Sequence, residues 1–294
     1  MPVRRAVMHV WNLVTRLQWI VLGLLAFATP ATAEQAKLLT GAGAHSSWVL
    51  FNELKPVLEQ DGDYSLKLFG KQSMLGVGCN AGIKSVMQYS AKQETFGFVC
   101  CKLDDEEVIK KNLQVFPLAL EPLMILSHEE NPVSNLSISQ VRDIFSGKIV
   151  NWKDVGGKDQ PIVVVTRLHC KNRPGHWKRI LPSPDAFTGK RINVQSADEM
   201  VKRVGAFKAA IGHAGTAWLR GEHSKTKIIT VDGYMPTVKN LQAGHYPFYR
   251  ELSAIVDKNS SEKLKNLMRK AQQEMLTTRA FTEHQLAPHF SLVK

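Results

Sequence analysis

Pro161-Ile162-Val163-Val164-Val165-Thr166-Arg167-Leu168-His169-Cys170-Lys171-Asn172-Arg173-Pro174-Gly175-His176-Trp177 joins an unbroken apolar run to an abrupt cluster of cations, imidazoles and a thiol. A strand with no polar alternation is buried on both faces, the condition of a mainly parallel sheet covered by helices. After the strand, the pattern predicts a turn at Pro174-Gly175 and entry into a helix. Such strand-to-helix junctions gather backbone N–H groups and loop side chains, so α/β proteins place ligands there.

Outward from this junction, strands and helices alternate. Lys37-Leu-Leu-Thr-Gly-Ala-Gly-Ala44 reads as a strand entering a glycine turn. The helix beyond it carries Trp48, Leu50, Phe51, Leu54 and Leu58, with Ser46 or Ser47 as its cap and a kink or early end at Pro56. Tyr64-Ser-Leu-Lys-Leu-Phe69 alternates as a strand does. Gly76-Val-Gly-Cys-Asn-Ala-Gly82 is a second glycine turn, followed by a helix with Ile83, Val86, Met87 and Ala91 on one face. Phe96-Gly-Phe-Val-Cys-Cys101 is a strand candidate, in which Cys100 and Cys101 should point to opposite faces. The apolar stretch from Val115 to Leu126 contains a buried strand, and Ser137-Ile-Ser-Gln140 is a capping-box pattern opening a helix that stops near Gly147. Ala209-Ala-Ile-Gly-His-Ala-Gly215 and Lys227-Ile-Ile-Thr-Val231 are further strands. The last helix carries Leu264, Leu267, Met268, Ala271 and Met275, capped by Asn259 or Ser260. The fold class is α/β. No Walker A motif, dinucleotide fingerprint or metalloprotease histidine pair occurs.

Residues 1–33 read as a signal peptide: Arg4, Arg5 and Arg16, then the apolar Trp19-Ile-Val-Leu-Gly-Leu-Leu-Ala-Phe27, then Ala31-Thr-Ala33. An uncleaved N-terminal anchor is the competing reading. Cleavage would leave 261 of the 294 residues and lower the net charge from +12 to +9, a balance that suits anionic ligands. No basic stripe with interleaved aromatics is present, so nucleic acid is not an expected partner. Export implies an oxidising compartment, in which Cys79, Cys100, Cys101 and Cys170 are candidates for disulfides.

Four segments carry a resemblance to the phosphate-binding-protein type of periplasmic solute receptor. They are Leu39-Thr-Gly-Ala-Gly-Ala44 and Gly76-Val-Gly-Cys-Asn-Ala-Gly82, then Asn131-Pro-Val-Ser-Asn-Leu-Ser and Phe145-Ser-Gly-Lys-Ile-Val-Asn-Trp-Lys-Asp-Val-Gly-Gly157 running on to Arg167. Gly212-His-Ala-Gly215, Pro236-Thr237 and Tyr246-Pro247 with Arg250 complete it. The resemblance implies a two-lobed type II periplasmic-binding-protein fold with a ligand cleft between the lobes. It implies that residues 34–118 plus 245–294 form lobe 1 and 119–244 form lobe 2. It further implies a periplasmic, non-enzymatic, monomeric receptor for a small anionic ligand, working with an inner-membrane ABC transporter permease.

Carried over residue by residue, the family's site falls on Ala44, His45, Ser46, Cys79, Asn80, Cys100, Arg167, Lys171, Asn172 and Arg173. Here the chain departs from the pattern. Cys79 stands where the family has a serine, and Val99-Cys100 where it has Ser-Asp. Lys171-Asn172-Arg173 replaces a small hydroxyl motif after Arg167. Sulfur accepts hydrogen bonds weakly, so Cys100 cannot reproduce the carboxylate that takes a proton from phosphate. Phosphate or another, larger anion is therefore the expected ligand. The same mapping places Cys79, Cys100, Cys170, His45 and His169 in loops around one cleft, where thiolate and imidazole donors would suit zinc or copper. A disulfide between Cys79 and either Cys100 or Cys170 is the competing use of these residues, and a sensory or interaction protein without a transport role the competing use of the fold.

Overall fold

The computed structural model describes residues 36–69, 78–88, 90, 93–168, 176–218, 225–277 and 279–289, with the side chains of His45, His176, Arg279 and Ala280 outside that description. The predicted signal peptide, His169, Cys170, Lys171, Asn172 and Arg173 also lie outside the described residues.

The chain begins with β1 (Lys37–Gly43), α1 (His45–Leu58), β2 (Tyr64–Phe69), α2 (Cys79–Met87) and β3 (Thr95–Val99). β2, β1 and β3 pair in parallel, as short βαβ crossovers require. Helix α1 buries Leu50, Phe51, Leu54 and Leu58 on one face. Phe51 packs its ring against Phe96 and Phe98, at centroid separations of 5.4 and 4.7 Å. Each such fully buried aromatic contributes about 1.5–3 kcal/mol relative to exposure. α1 starts at His45 with Ala44 as its cap position, two residues before Ser46 and three before Ser47, the predicted caps, and Pro56 falls in its last turn. On α2, Ile83 and Val86 are buried but Met87, the third predicted apolar position, is 60% exposed where the helix ends; Ala91, the fourth, lies outside the described residues.

Next come α3 (Asp105–Lys110) and the 16-residue β4 (Leu113–His128). At 3.3 Å per residue β4 is about 50 Å long, more than one small sheet can use. Its first part pairs antiparallel with β10 (Tyr249–Asp257), which in turn pairs with β3. Its second part, from Leu123, pairs antiparallel with β8 (Ala210–Gly215) and β9 (Thr226–Val231). β8 also pairs in parallel with β6 (Val163–Thr166), and β6 with β7 (Arg191–Asn193). The short β5 (Asn135–Leu136) pairs with β9. The expected mainly parallel sheet is therefore mixed: β4 and β10 run against their neighbours, and β4 alone continues from the first sheet region into the second.

Among the described residues two large hydrophobic cores flank these strands, with two smaller clusters beside them. One gathers residues between Leu39 and Ala119 with others between Leu252 and Leu286. The other gathers residues between Leu123 and Phe248. The chain leaves one core for the other at residues 119–123 and returns at 248–252, where Leu123 N–H bonds the carbonyl of Phe248 at 2.8 Å. In the second region, α4 (Ile138–Ser146) carries the complete capping box of Ser137 and Gln140 and ends at left-handed Gly147, φ 83°. α5 (Ala197–Ala206) and α6 (Val238–Gln242) are capped by Ser196 and Thr237. The helix expected after the opening stretch is one 3₁₀ turn, His176–Arg179, which buries Trp177 edge-on to Phe187. α7 (Glu262–Thr277) buries the five predicted residues; its cap is Ser261, whose hydroxyl accepts from Leu264 N–H at 3.1 Å. α8 (Arg279–Glu283) closes the described chain.

Candidate functional site

The parallel strands β1 and β3 end at one edge of the first region, and helices α1 and α2 begin there. The junction is drawn tight by backbone bonds: Ala44 N–H to Phe98 O at 3.1 Å and Gly78 N–H to Gly43 O at 2.9 Å. Gly43 has φ 140°, and a side chain there would run into the backbone of Phe98. The cap positions of α1 and α2 are Ala44 and Gly78, which offer no side-chain oxygen to the first-turn N–H groups. These two helices thus present uncapped positive ends, unlike α4, α5 and α6.

At the same edge three thiols meet. Cys79 opens α2, and Cys100 and Cys101 follow β3. Cys79 Sγ lies 3.4 Å from Cys100 Sγ and 3.3 Å from Cys101 Sγ, and it accepts the Cys100 N–H at 3.1 Å. The expectation that Cys100 and Cys101 diverge is wrong. β3 ends at Val99, so the alternation of strand side chains does not extend to them. All three are buried and none is in a disulfide.

Facing them are two charged side chains outside the predicted site, one of them, Arg250, named only among the residues that carry the resemblance. Glu121 on β4 is 0% exposed and Arg250 on β10 is 6% exposed. Arg250 Nε donates to Glu121 Oε2 at 2.5 Å, and its other guanidinium arm donates to Ser46 Oγ. Burial works against the charge of Arg250, but Glu121, Cys100 and Cys79 outweigh it and raise its pKa above the ordinary arginine value. The guanidinium is a fixed cation. Glu121 Oε1 accepts the N–H of Ala217 at 3.0 Å. Gly215 lets this happen: any side chain there would collide with the Glu121 carboxylate and the Arg250 guanidinium.

The second region contributes its own strand ends. β6 and β8 are parallel neighbours, so Arg167 after β6 and the turn Thr216–Trp218 after β8 leave the sheet at one edge. Trp218 Nε1 donates to Ser46 Oγ at 3.3 Å, joining this edge to the start of α1. Arg167 is 6% exposed, and its Nε donates to Gln195 O at 3.0 Å. Of the predicted site residues, Ser46 bonds Arg250, and Cys79 and Cys100 are close enough to act on its charge; Ala44 is the cap position of α1, and Arg167 follows β6 in the second region. Asn80 lies in the first turn of α2.

Chemically, the arrangement offers a buried guanidinium, hydroxyls and two uncapped helix ends, which together match an oxyanion. Among the described residues no group of three or more His, Cys, Asp or Glu is arranged to hold a metal. His169, Cys170 and the His45 side chain, which belong to the predicted zinc or copper set, lie outside the described residues. Glu121 carried one signal in the sequence: it is the single charge inside the apolar run from Val115 to Leu126.

The family profile of the PBP superfamily domain matches residues 30–270. The phosphate-binding protein PstS of Bacillus subtilis (strain 168) is 32% identical over 118 residues, which cover 40% of this chain and 38% of that protein. PstS of Borreliella burgdorferi is 22% identical over 166 residues, covering 54% of this chain and 60% of that one. The chain thus matches about a third to three fifths of these relatives' own length. Among solved structures, an ABC-type phosphate transport receptor from Vibrio cholerae superposes with a TM-score of 0.65 at 22% identity, covering 85% of this chain and 99% of that one. A phosphate-bound structure from Clostridium perfringens, assigned to the phosphate ABC transporter substrate-binding proteins, reaches a TM-score of 0.70 at 22% identity, covering 88% and 100%. These likenesses establish the two-lobed α/β receptor fold.

Proposed function

The chain belongs to the PBP superfamily, and on that premise we propose that it is a receptor for phosphate or a related oxyanion. The lobes are residues 34–118 with 245–294, and residues 119–244, and the ligand sits between them. It acts after export, as a monomer, and hands its ligand to an ABC transporter permease in the inner membrane; it is not an enzyme. One observation carries the reading: the buried Arg250 guanidinium bonds Ser46 at the start of α1, beside the thiols at the start of α2, where both helices lack a side-chain cap.

Each element has a role in binding. The first-turn N–H groups of α1 and α2 donate to anionic oxygens. Arg167 supplies a charged fork from the opposite lobe, with Lys171 and Arg173 beside it in sequence. Glu121 holds Arg250 in orientation across the lobe crossing and is itself held within its own lobe by Ala217 N–H. Hinge motion at the crossing residues lets the lobes close on the ligand. Because Trp218 bonds Ser46 across the cleft, its fluorescence should change when ligand enters. Titration of ligand-stripped protein with orthophosphate should give a saturable change in tryptophan emission. A flat response in wild type, with calorimetry equally flat, would remove the reading.

A further inference from the structure

Beside the Ser46–Arg250 contact lies a cavity of about 280 Å³ lined by Lys102, Lys178, Arg179, Arg250 and Glu251. Its size is just under the roughly 300–1,000 Å³ of ordinary small-molecule sites, so it is more than the seat of a single ion. Both sides of the cleft build it. Lys102 follows the thiol pair Cys100-Cys101, whereas Lys178 and Arg179 belong to the 3₁₀ turn that anchors Trp177 in the second core. Arg250 is shared with the oxyanion site.

The charge balance of the cavity is one-sided. Among the described residues Glu251 is its only acidic lining residue, and it is already engaged by His289 Nε2 at 3.2 Å. The hydrogen bond from His289 comes first in holding the Glu251 carboxyl below the usual range, with Lys102 and Arg179 adding to it. Glu121 balances Arg250 from behind. Four cationic side chains against two carboxylates leave an excess of two positive charges. Arg179 is also pre-oriented: its guanidinium carbon sits 4.0 Å from the centroid of the Tyr249 ring, which fixes the plane of the fork and leaves its edge for a ligand.

We propose that this cavity is a second anionic subsite, continuous with the first through Arg250. It takes the distal group of a ligand carrying two linked anionic groups, of which diphosphate is the simplest. The inference rests on the receptor reading and names its ligand class.

The test is calorimetric titration of ligand-stripped protein, wild type and Lys102→Gln/Arg179→Gln, with orthophosphate and with diphosphate. Both substituted side chains are exposed, so the variant should fold, and its thermal transition checks this. The expected result is diphosphate binding at least about tenfold tighter than orthophosphate in wild type. The double variant should lose that advantage while its orthophosphate affinity stays within about twofold. Equal affinity for the two anions in wild type overturns the subsite, as does a double variant that weakens both anions equally or neither. Failure of both anions to bind wild type overturns the receptor reading itself.

Discussion

Substituting Glu121→Gln isolates the charge at the lobe crossing. The amide keeps the size of the side chain and an acceptor for Ala217 N–H, but it leaves the Arg250 guanidinium, 6% exposed, without its counter-charge. Removing one partner of a buried ion pair costs about 3–5 kcal/mol, because the remaining charge stays desolvated. For a chain of this size each kcal/mol moves the melting temperature by about 2–4 °C, so the loss should be about 6–20 °C. Urea unfolding monitored by circular dichroism gives the free energy directly. The control is Asp63→Asn, which breaks the pair of Asp63 with Lys263, both about half exposed; such surface pairs are worth about 0–1 kcal/mol. Orthophosphate should restore more stability to Glu121→Gln than it adds to wild type, since an anion at Arg250 replaces the missing carboxylate. A Glu121→Gln loss no larger than that of Asp63→Asn, with no extra rescue by phosphate, would refute the view that the pair is a buried structural charge facing the ligand.

Other outcomes follow from the same geometry. Gly215→Ala should cost about 1–3 kcal/mol and reduce anion binding, because the new methyl displaces the Glu121–Arg250 pair; wild-type stability and affinity in that variant would argue against the crowding. Treatment with a low-molecular-weight disulfide should oxidise Cys79 with Cys100 or Cys101, by thiolate exchange that releases the reduced reagent, and peptide mass spectrometry should find neither cross-link in Cys79→Ser. The Tyr64 hydroxyl donates to Glu94 at 3.1 Å, and burial first, with Glu94 adding to it, pushes its pKa from 10.0 to about 12. A raised folded-state pKa stabilises the protein fully below the unfolded value and loses that contribution as pH rises, here from 10.0 to about 12. Tyr64→Phe should therefore flatten the alkaline arm of the stability profile, and an unchanged arm would contradict the assignment.

Much of the scaffold is legible in residue order because it is local. The capping box at Ser137 and Gln140, the alternation of Tyr64–Phe69 and the helical spacing of Leu264 to Met275 are each set by neighbours within a few positions. What escapes is the pairing of distant segments. Glu121 and Arg250 are separated by 129 positions, and only the crossing of β4 and β10 brings them together. The same crossing turns an expected mainly parallel sheet into a mixed one. Cys79 and Cys100 were expected around one cleft; the place of Cys101 beside them was not, because a local rule was carried one step too far. Cys100 and Cys101 lie just beyond the end of β3, where the chain bends and both sulfurs reach Cys79. Arg167 was selected on the family resemblance, and the structure sets it, buried, directly after the apolar strand β6.

The central claim is oxyanion binding between the lobes, and calorimetric titration of ligand-stripped protein with orthophosphate, set against Arg167→Ala, tests it most directly. The account predicts saturable one-to-one binding in wild type, weakened by Arg167→Ala by at least about tenfold, as expected for loss of a charge-assisted contact worth about 1.5–3 kcal/mol. No saturable heat with orthophosphate or any other oxyanion, and a silent Arg167→Ala, would contradict it.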